Sequence, residues 1–246
     1  LAGMDMGTAA AQLLKGMCTS FLLLAIPLFI LAAEFMNTGS IMDRLLTFCN
    51  AIVGRFRGGL AQVNVVQSII FASMSGSALA DAAASGKLMQ SLMTRDGKYT
   101  PAYAAALTTV SSVIGPIMPP SIPLVLYALV SDTSVGYLFL GGVIPGLLLG
   151  VVQSGLIAFT AKRRNFPVEE RVPLRALPRI TWQAIPALLM PVILLGCLYG
   201  GVTTPTEAAA VAAAYALLIS AVLYRSIRLK DVYGSLAAWE HDFRQT

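Results

Sequence analysis

Two short runs of small and helix-breaking residues have the types and spacing to hold an ion. The first is Ser73-Met74-Ser75-Gly76-Ser77 and the second is Gly115-Pro116-Ile117-Met118-Pro119-Pro120-Ser121-Ile122-Pro123, each set in apolar sequence. Serine hydroxyls and unpaired backbone carbonyls can replace the water shell of a small hard cation. Interrupted helices add dipoles, with carbonyl ends favouring cations and amide ends favouring anions. Gly76 permits a tight turn, and Ser111, Ser112 and Ser121 flank the proline break. Either run alone reads as close helix packing. Together, in neighbouring segments, they read as the discontinuous-helix ion and substrate site of a secondary transporter. Asp81 is either a coordinating or gating acid, or a carboxylate favoured by the first turn of a helix. Lys87 either contacts an anionic substrate or snorkels to the membrane surface, and Glu34 and Glu207 lie near span ends as interfacial acids.

Other chemistries lack their groups. A nucleophile needs a partner base, and the single histidine, His241, lies in a polar tail. Paired intramembrane aspartates are absent, as is a Gly-rich loop followed by Lys-Ser/Thr. Cys18, Cys49 and Cys197 are scattered, with neither metal-ligand nor disulfide spacing, and read as small apolar residues. The sequence is read as a non-enzyme without a cofactor.

The elements that must position these breaks are membrane helices. Of 246 residues, 57% are hydrophobic and 12% charged, about half the charge of a soluble domain. The net charge of +5 comes from Lys and Arg clustered between apolar runs, a membrane pattern rather than a nucleic-acid one. Thr19 to Phe35 is close to spanning length. Gly39 to Phe56 places Ile41, Leu45, Leu46, Phe48 and Ile52 at helical spacing among polar residues, predicting an interfacial helix. Leu60 to Phe71 and Ala78 to Met93 are each too short to cross. Basic residues flank the pair (Arg55, Arg57, Lys87, Arg95, Lys98), predicting a re-entrant hairpin with the serine-glycine run at its tip. Four prolines interrupt Pro101 to Val130, predicting two half-helices joined by extended chain. Gly136–Ala161, Trp182–Tyr199 and Ala208–Tyr224 read as spans. Thr206 or Thr204 can cap the last of them, and Trp182, Tyr224 and Trp239 read as interface aromatics.

With Arg55/Arg57, Arg95/Lys98, Lys162–Arg164 and Arg225–Lys230 all cytoplasmic, one topology satisfies every loop. The fold class is an all-α, multi-span membrane protein with a re-entrant helical hairpin and a broken helix. Residues 1–58 form a first span and arm, 59–98 the hairpin, and 99–161 the broken helix and next span. Residues 162–181 form a cytoplasmic basic loop, 182–236 two further spans, and 237–246 a polar tail. The chain starts with Leu and has no export signal, so an earlier segment is expected before it.

The chain resembles the large membrane subunit of tripartite ATP-independent periplasmic (TRAP) transporters, of the C4-dicarboxylate type. The resemblance rests on Ala25–Ala32 (AIPLFILA), Ser75–Ala84 (SGSALADAAA), Ile114–Tyr127 (IGPIMPPSIPLVLY), Leu138–Gly150 (LFLGGVIPGLLLG) and Thr204–Val211 (TPTEAAAV), in the family's order and spacing. It implies two inverted repeats moving as an elevator, sodium coupling, and a bacterial cytoplasmic membrane. The implied partners are a small membrane subunit and a periplasmic solute-binding protein that delivers an organic acid. The implied sodium residues are Ser75, Gly76, Ser77, Ser112, Gly115, Pro119 and Ser121, with Ser77, Asp81 and Pro120 facing substrate. The family's second hairpin and second broken helix have no counterpart here. The sequence therefore reads as truncated after the first repeat, a fragment or frameshifted product, or a chain completed by another; the alternative function is a non-transporting scaffold that only binds its partner subunit.

Overall fold

The computed structural model is mostly helical and without strands in its described residues, which are 21–223 except 37, 38, 98, 165, 167–172, 174 and 202. Nine α-helices succeed one another there: α1 (Ala25–Met36), α2 (Gly39–Val53), α3 (Gly59–Ser75), α4 (Ala78–Thr94), α5 (Pro101–Ser112), α6 (Ile122–Ser131), α7 (Val135–Arg164), α8 (Leu177–Tyr199) and α9 (Pro205–Leu218). Thr19, Lys98, the Arg225–Lys230 cluster, Tyr224, Trp239, the tail 237–246 and much of the basic loop lie outside the described residues.

Among the described residues, three helices are long and apolar enough to cross a membrane: Val135–Arg164, Leu177–Tyr199 and Pro205–Val222. Their outer faces are apolar, with Ile144, Val151 and Leu156 of α7 and Val192 of α8 all mostly exposed. A continuous apolar surface of this kind belongs against lipid or protein rather than water.

The span boundaries shift from their sequence-based positions for identifiable reasons. The α-helix of the first segment begins at Ala25, after a 3-10 turn over Phe21–Leu24. Pro27 sits in the first turn of α1, where its missing amide leaves no broken bond. Helix α7 runs on through Lys162, Arg163 and Arg164, because cations suit the carbonyl end of a helix. Helix α8 starts at Leu177 with a proline in its first turn, so the predicted loop 162–181 is shortened at both ends. Helix α9 starts at Pro205, and of the two threonines it is Thr204 that caps it. The Thr204 Oγ accepts from the Glu207 amide, while the Thr204 amide donates to Glu207 Oε2 at 2.7 Å. Thr204→Ala should cost about 1 kcal/mol, lowering the melting midpoint of the purified chain by about 2–4 °C.

Two cores organise the molecule. In one, Phe29, Ala32, Phe35 and Met36 of α1 lie on Ala209, Ala212, Ala213 and Ala216 of α9. The alanine face lets the two backbones approach closely. The Ser220 hydroxyl adds a buried hydrogen bond to the Phe35 carbonyl at 2.9 Å. The second core joins the hairpin α3–α4 to α5 and α7 through Val63, Ala72, Met89, Met93, Ala104, Ile114 and Ile157. The predicted interfacial helix is α2, whose Ile41, Leu45 and Cys49 are buried while Ile52 stays exposed.

At one end of the bundle, Phe166 packs between Tyr99 (centroids 4.6 Å apart) and Tyr103 (5.0 Å). Gly58 lies against Ala161 and Ile157 there. Both outer ends of the hairpin therefore lie near the C-terminal end of α7.

Candidate functional site

The hairpin tip is narrower than the sequence suggested. Ser73, Met74 and Ser75 are helical, and the break is confined to Gly76 and Ser77. Gly76 ends α3 in the left-handed region at φ 61°, its amide donating to the Ala72 carbonyl. Ser77 is extended, at φ −131° and ψ 122°, and its Oγ accepts from the Ala80 amide to start α4. A glycine C-cap followed at once by a serine N-cap reverses the chain in two residues.

The proline break spans Val113 to Ser121, and here the expectation of extended chain fails. The segment is coiled into tight turns: the Ile114 amide donates to the Ser111 carbonyl (3.1 Å), Gly115 to Ser112 (2.9 Å) and Met118 to Ile114 (2.9 Å). Pro116, Pro119 and Pro120 carry no amide and so cannot extend a helix, but the residues between them can still close turns. The Pro119–Pro120 peptide is cis. Ser121, at φ −125° and ψ 122°, caps α6 much as Ser77 caps α4. Its Oγ accepts from the Leu124 amide and donates to the Pro116 carbonyl.

The two breaks touch. A Cβ on Gly76 would collide with the Pro120 carbonyl, so only a glycine hydrogen fits between tip and break. A Cβ on Gly115 would stand 2.9 Å from the Ala78 amide nitrogen and 2.9 Å from the Ser77 carbonyl carbon. Helix α7 backs this junction with small residues: a Cβ on Gly142 would meet the Ile117 carbonyl, and one on Gly146 would stand 3.0 Å from the Met118 sulfur. Gly142→Leu should therefore push the proline break off α7, costing about 1–3 kcal/mol by overpacking, measurable as a lowered melting midpoint.

Four helix ends converge at the junction. The carbonyl ends of α3 and α5 supply partial negative charge, and the amide ends of α4 and α6 supply partial positive charge. Ser77 and Ser121 each use one lone pair on a cap bond. The carbonyl oxygens of Ser75, Gly76, Gly115, Pro119 and Pro120 receive no hydrogen bond from any described residue. Buried carbonyls are rarely left unpaired, so oxygens on both sides of this junction are free to accept from a ligand.

The structure thus brings Ser75, Gly76, Ser77, Ser112, Gly115, Pro119, Pro120 and Ser121 to one junction. Ser75 and Ser121 are fully or nearly fully buried, and the Ser112 hydroxyl, 4% exposed, donates to the Thr109 carbonyl at 2.9 Å. Asp81 lies elsewhere: it faces inward, 1% exposed, with the Ser85 hydroxyl donating to its Oδ1 at 2.6 Å. Lys87 is exposed on α4, and Glu34 is exposed on α1. The sequence reading missed Asn64, Ser68 and Ser85, which are buried polar residues beneath the tip. Polar side chains inside a membrane half-helix were the available signal.

Most of the chain matches known proteins. Residues 1–241 fit the family described as the tripartite ATP-independent periplasmic transporter, DctM component. A sialic acid TRAP transporter large permease protein of Vibrio cholerae is 42% identical over 221 residues, covering 90% of this chain and 52% of the relative. A C4-dicarboxylate TRAP transporter large permease protein of Pseudomonas aeruginosa is 44% identical over 211 residues, covering 86% and 49%. A 2,3-diketo-L-gulonate TRAP transporter large permease protein of Escherichia coli is 40% identical over 226 residues, covering 92% and 53%. The chain spans about half the length of these curated relatives, which are transporter permeases rather than enzymes. An all-helical membrane chain with a hairpin tip seated on a broken helix, matched along nearly its full length, belongs to the DctM-component family of TRAP transporter large permeases.

Proposed function

We propose that the chain is the membrane subunit of a sodium-coupled secondary transporter that imports a small organic acid. The observation that carries this reading is the seating of the hairpin tip on the proline break, with carbonyls that accept no hydrogen bond from a described residue on both sides. The carbonyl ends of α3 and α5 supply the field for sodium, held by oxygens drawn from Ser75, Gly76, Ser77, Ser112, Gly115, Pro119 and Ser121. The amide ends of α4 and α6 point at an anion, and Ser77 and Pro120 form the substrate-facing rim. Sialic acid, C4-dicarboxylates and 2,3-diketo-L-gulonate, named for the relatives, are all organic anions at neutral pH, and a C4-dicarboxylate-like acid fits the same field.

The partners in this reading are a small membrane subunit and a periplasmic solute-binding protein, and the location is the bacterial cytoplasmic membrane. Coupling follows if sodium and substrate share the junction: the cation holds the tip on the break, and the anion binds only where both amide ends are in place. Hairpin and broken helix would then move together as one elevator body.

The test is uptake of a labelled dicarboxylate by the assembled transporter in liposomes under an imposed sodium gradient. Uptake should require sodium and fail with potassium. Uptake indifferent to sodium would remove the reading. Co-purification of the chain with its small subunit, with no uptake on any acid tried, would favour the alternative of a non-transporting scaffold.

A further inference from the structure

A second buried cluster lies below the tip, and the junction does not use it. Asn64 and Ser68 come from α3, Asp81 and Ser85 from α4, and Ser111 from α5, none more than 1% exposed. The Ser85 hydroxyl donates to Asp81 Oδ1 at 2.6 Å. Ser68 Oγ lies 3.1 Å from Ser111 Oγ, and Asn64 Nδ2 donates to Ser111 Oγ at 2.9 Å.

The hydrogen-bond account of this cluster does not close. The Ser111 proton is directed at the Thr108 carbonyl, 3.0 Å away. Asn64 is turned into the cluster by its bond to Ser111, yet its Oδ1 is buried without a partner. No charged side chain among the described residues acts on Asp81. The cluster therefore holds a carboxylate, an orphaned amide oxygen and hydroxyl lone pairs, an excess of acceptors over donors. Asp81 lies in the first turn of α4, where the helix dipole favours a carboxylate. That dipole leaves the Asn64 oxygen and the hydroxyls of α3 and α5 unexplained. With the Asp81 carboxylate ionised, this set of acceptors in an apolar interior is short of a cation. The donors are all oxygen, which selects a hard ion. One monovalent charge neutralises the carboxylate, whereas a divalent ion would leave a buried net positive charge.

We propose that Asn64, Ser68, Asp81, Ser85 and Ser111 form a second sodium site, separate from the tip junction. It rests on the sodium reading above for the identity of its ion. The cluster ties together the two hairpin arms and the first half of the broken helix, the elements whose ends make the junction. An ion here would brace the hairpin against α5 and so set the position of the tip.

The experiment is equilibrium binding of radioactive sodium to the purified full chain in nanodiscs, with Asp81→Asn, Asn64→Ala and Gly115→Val compared to the parent. Asp81→Asn keeps the side chain's size but removes the charge. It should lose about half of the bound sodium, and Asn64→Ala should weaken the same fraction. Gly115→Val should lose the other half by opening the junction. Asp81→Asn binding as much sodium as the parent would overturn the second site while leaving the junction intact. Gly115→Val binding as much as the parent, with Asp81→Asn losing all, would sink the junction and leave the cluster as the one site. If either substitution alone removes all bound sodium and so does the other, the two sites are one and the inference fails. Should Asp81→Asn not fold, Asn64→Ala is read against the same outcomes.

Discussion

Gly76→Val should abolish sodium binding at the junction and reduce sodium-driven uptake by the assembled transporter at least a hundredfold. The left-handed backbone at φ 61° costs a residue with a Cβ about 1–2 kcal/mol. The added side chain would also meet the Pro120 carbonyl, and relieving that overlap costs about 1–3 kcal/mol more. The cheapest relief is to lift the tip off the break, which separates the oxygens that hold the ion. Strain and contact can be told apart. Gly97 has φ +67°, but a Cβ there would meet nothing within 4 Å, so Gly97→Ala should show the backbone cost alone. Gly76→Ala should exceed it in melting midpoint and should lose the sodium-dependent part of that midpoint as well, which Gly97→Ala keeps.

Gly115→Val should produce a loss of similar size by a different route. Gly115 is not in the left-handed region, so a side chain there brings no backbone strain. Its Cβ would stand 2.9 Å from both Ser77 and Ala78 backbone atoms, and overpacking of this kind costs about 1–3 kcal/mol. Since Ser77 and Ala78 form the start of α4, the displacement falls on the tip from the opposite side to Gly76→Val. Sodium affinity should drop by about 10- to 100-fold for a displacement energy in that range. In the assembled transporter, this loss should appear as a raised sodium requirement for uptake. Combining the two substitutions should cost less than their sum, because either one already parts the same pair of surfaces.

Much of this architecture was legible in the residues. The short apolar helices on either side of Ser75-Gly76-Ser77 and the cluster of prolines from Pro116 to Pro123 identified the two breaks. Helix boundaries were less legible because they depend on local bonds that hydropathy does not weigh. Ser73 to Ser75 read as loop by composition, yet serine is tolerated in a helix whose cap is a left-handed glycine. The proline segment read as extended because proline excludes helix. Ile114, Gly115, Ile117 and Met118 keep their amides, however, and close turns with them. The sequence paired the two runs as one site, but not how closely their backbones approach. That contact is tertiary, and its trace in the sequence is the pair of glycines, Gly76 and Gly115, whose missing side chains matter only once the opposing backbone is known. Asn64 was the clearest missed signal, a lone amide side chain in an apolar half-helix that composition treats as a small perturbation.

The most direct measurement is amide hydrogen exchange of the purified chain in nanodiscs, compared in sodium and in potassium at equal ionic strength. Sodium should slow exchange together at Gly76–Ala78 and at the non-proline amides of Gly115–Ile122, with little change along the lipid-facing turns of α7. Equal exchange in the two salts, or protection at one segment without the other, would contradict a cation held jointly by the tip and the break.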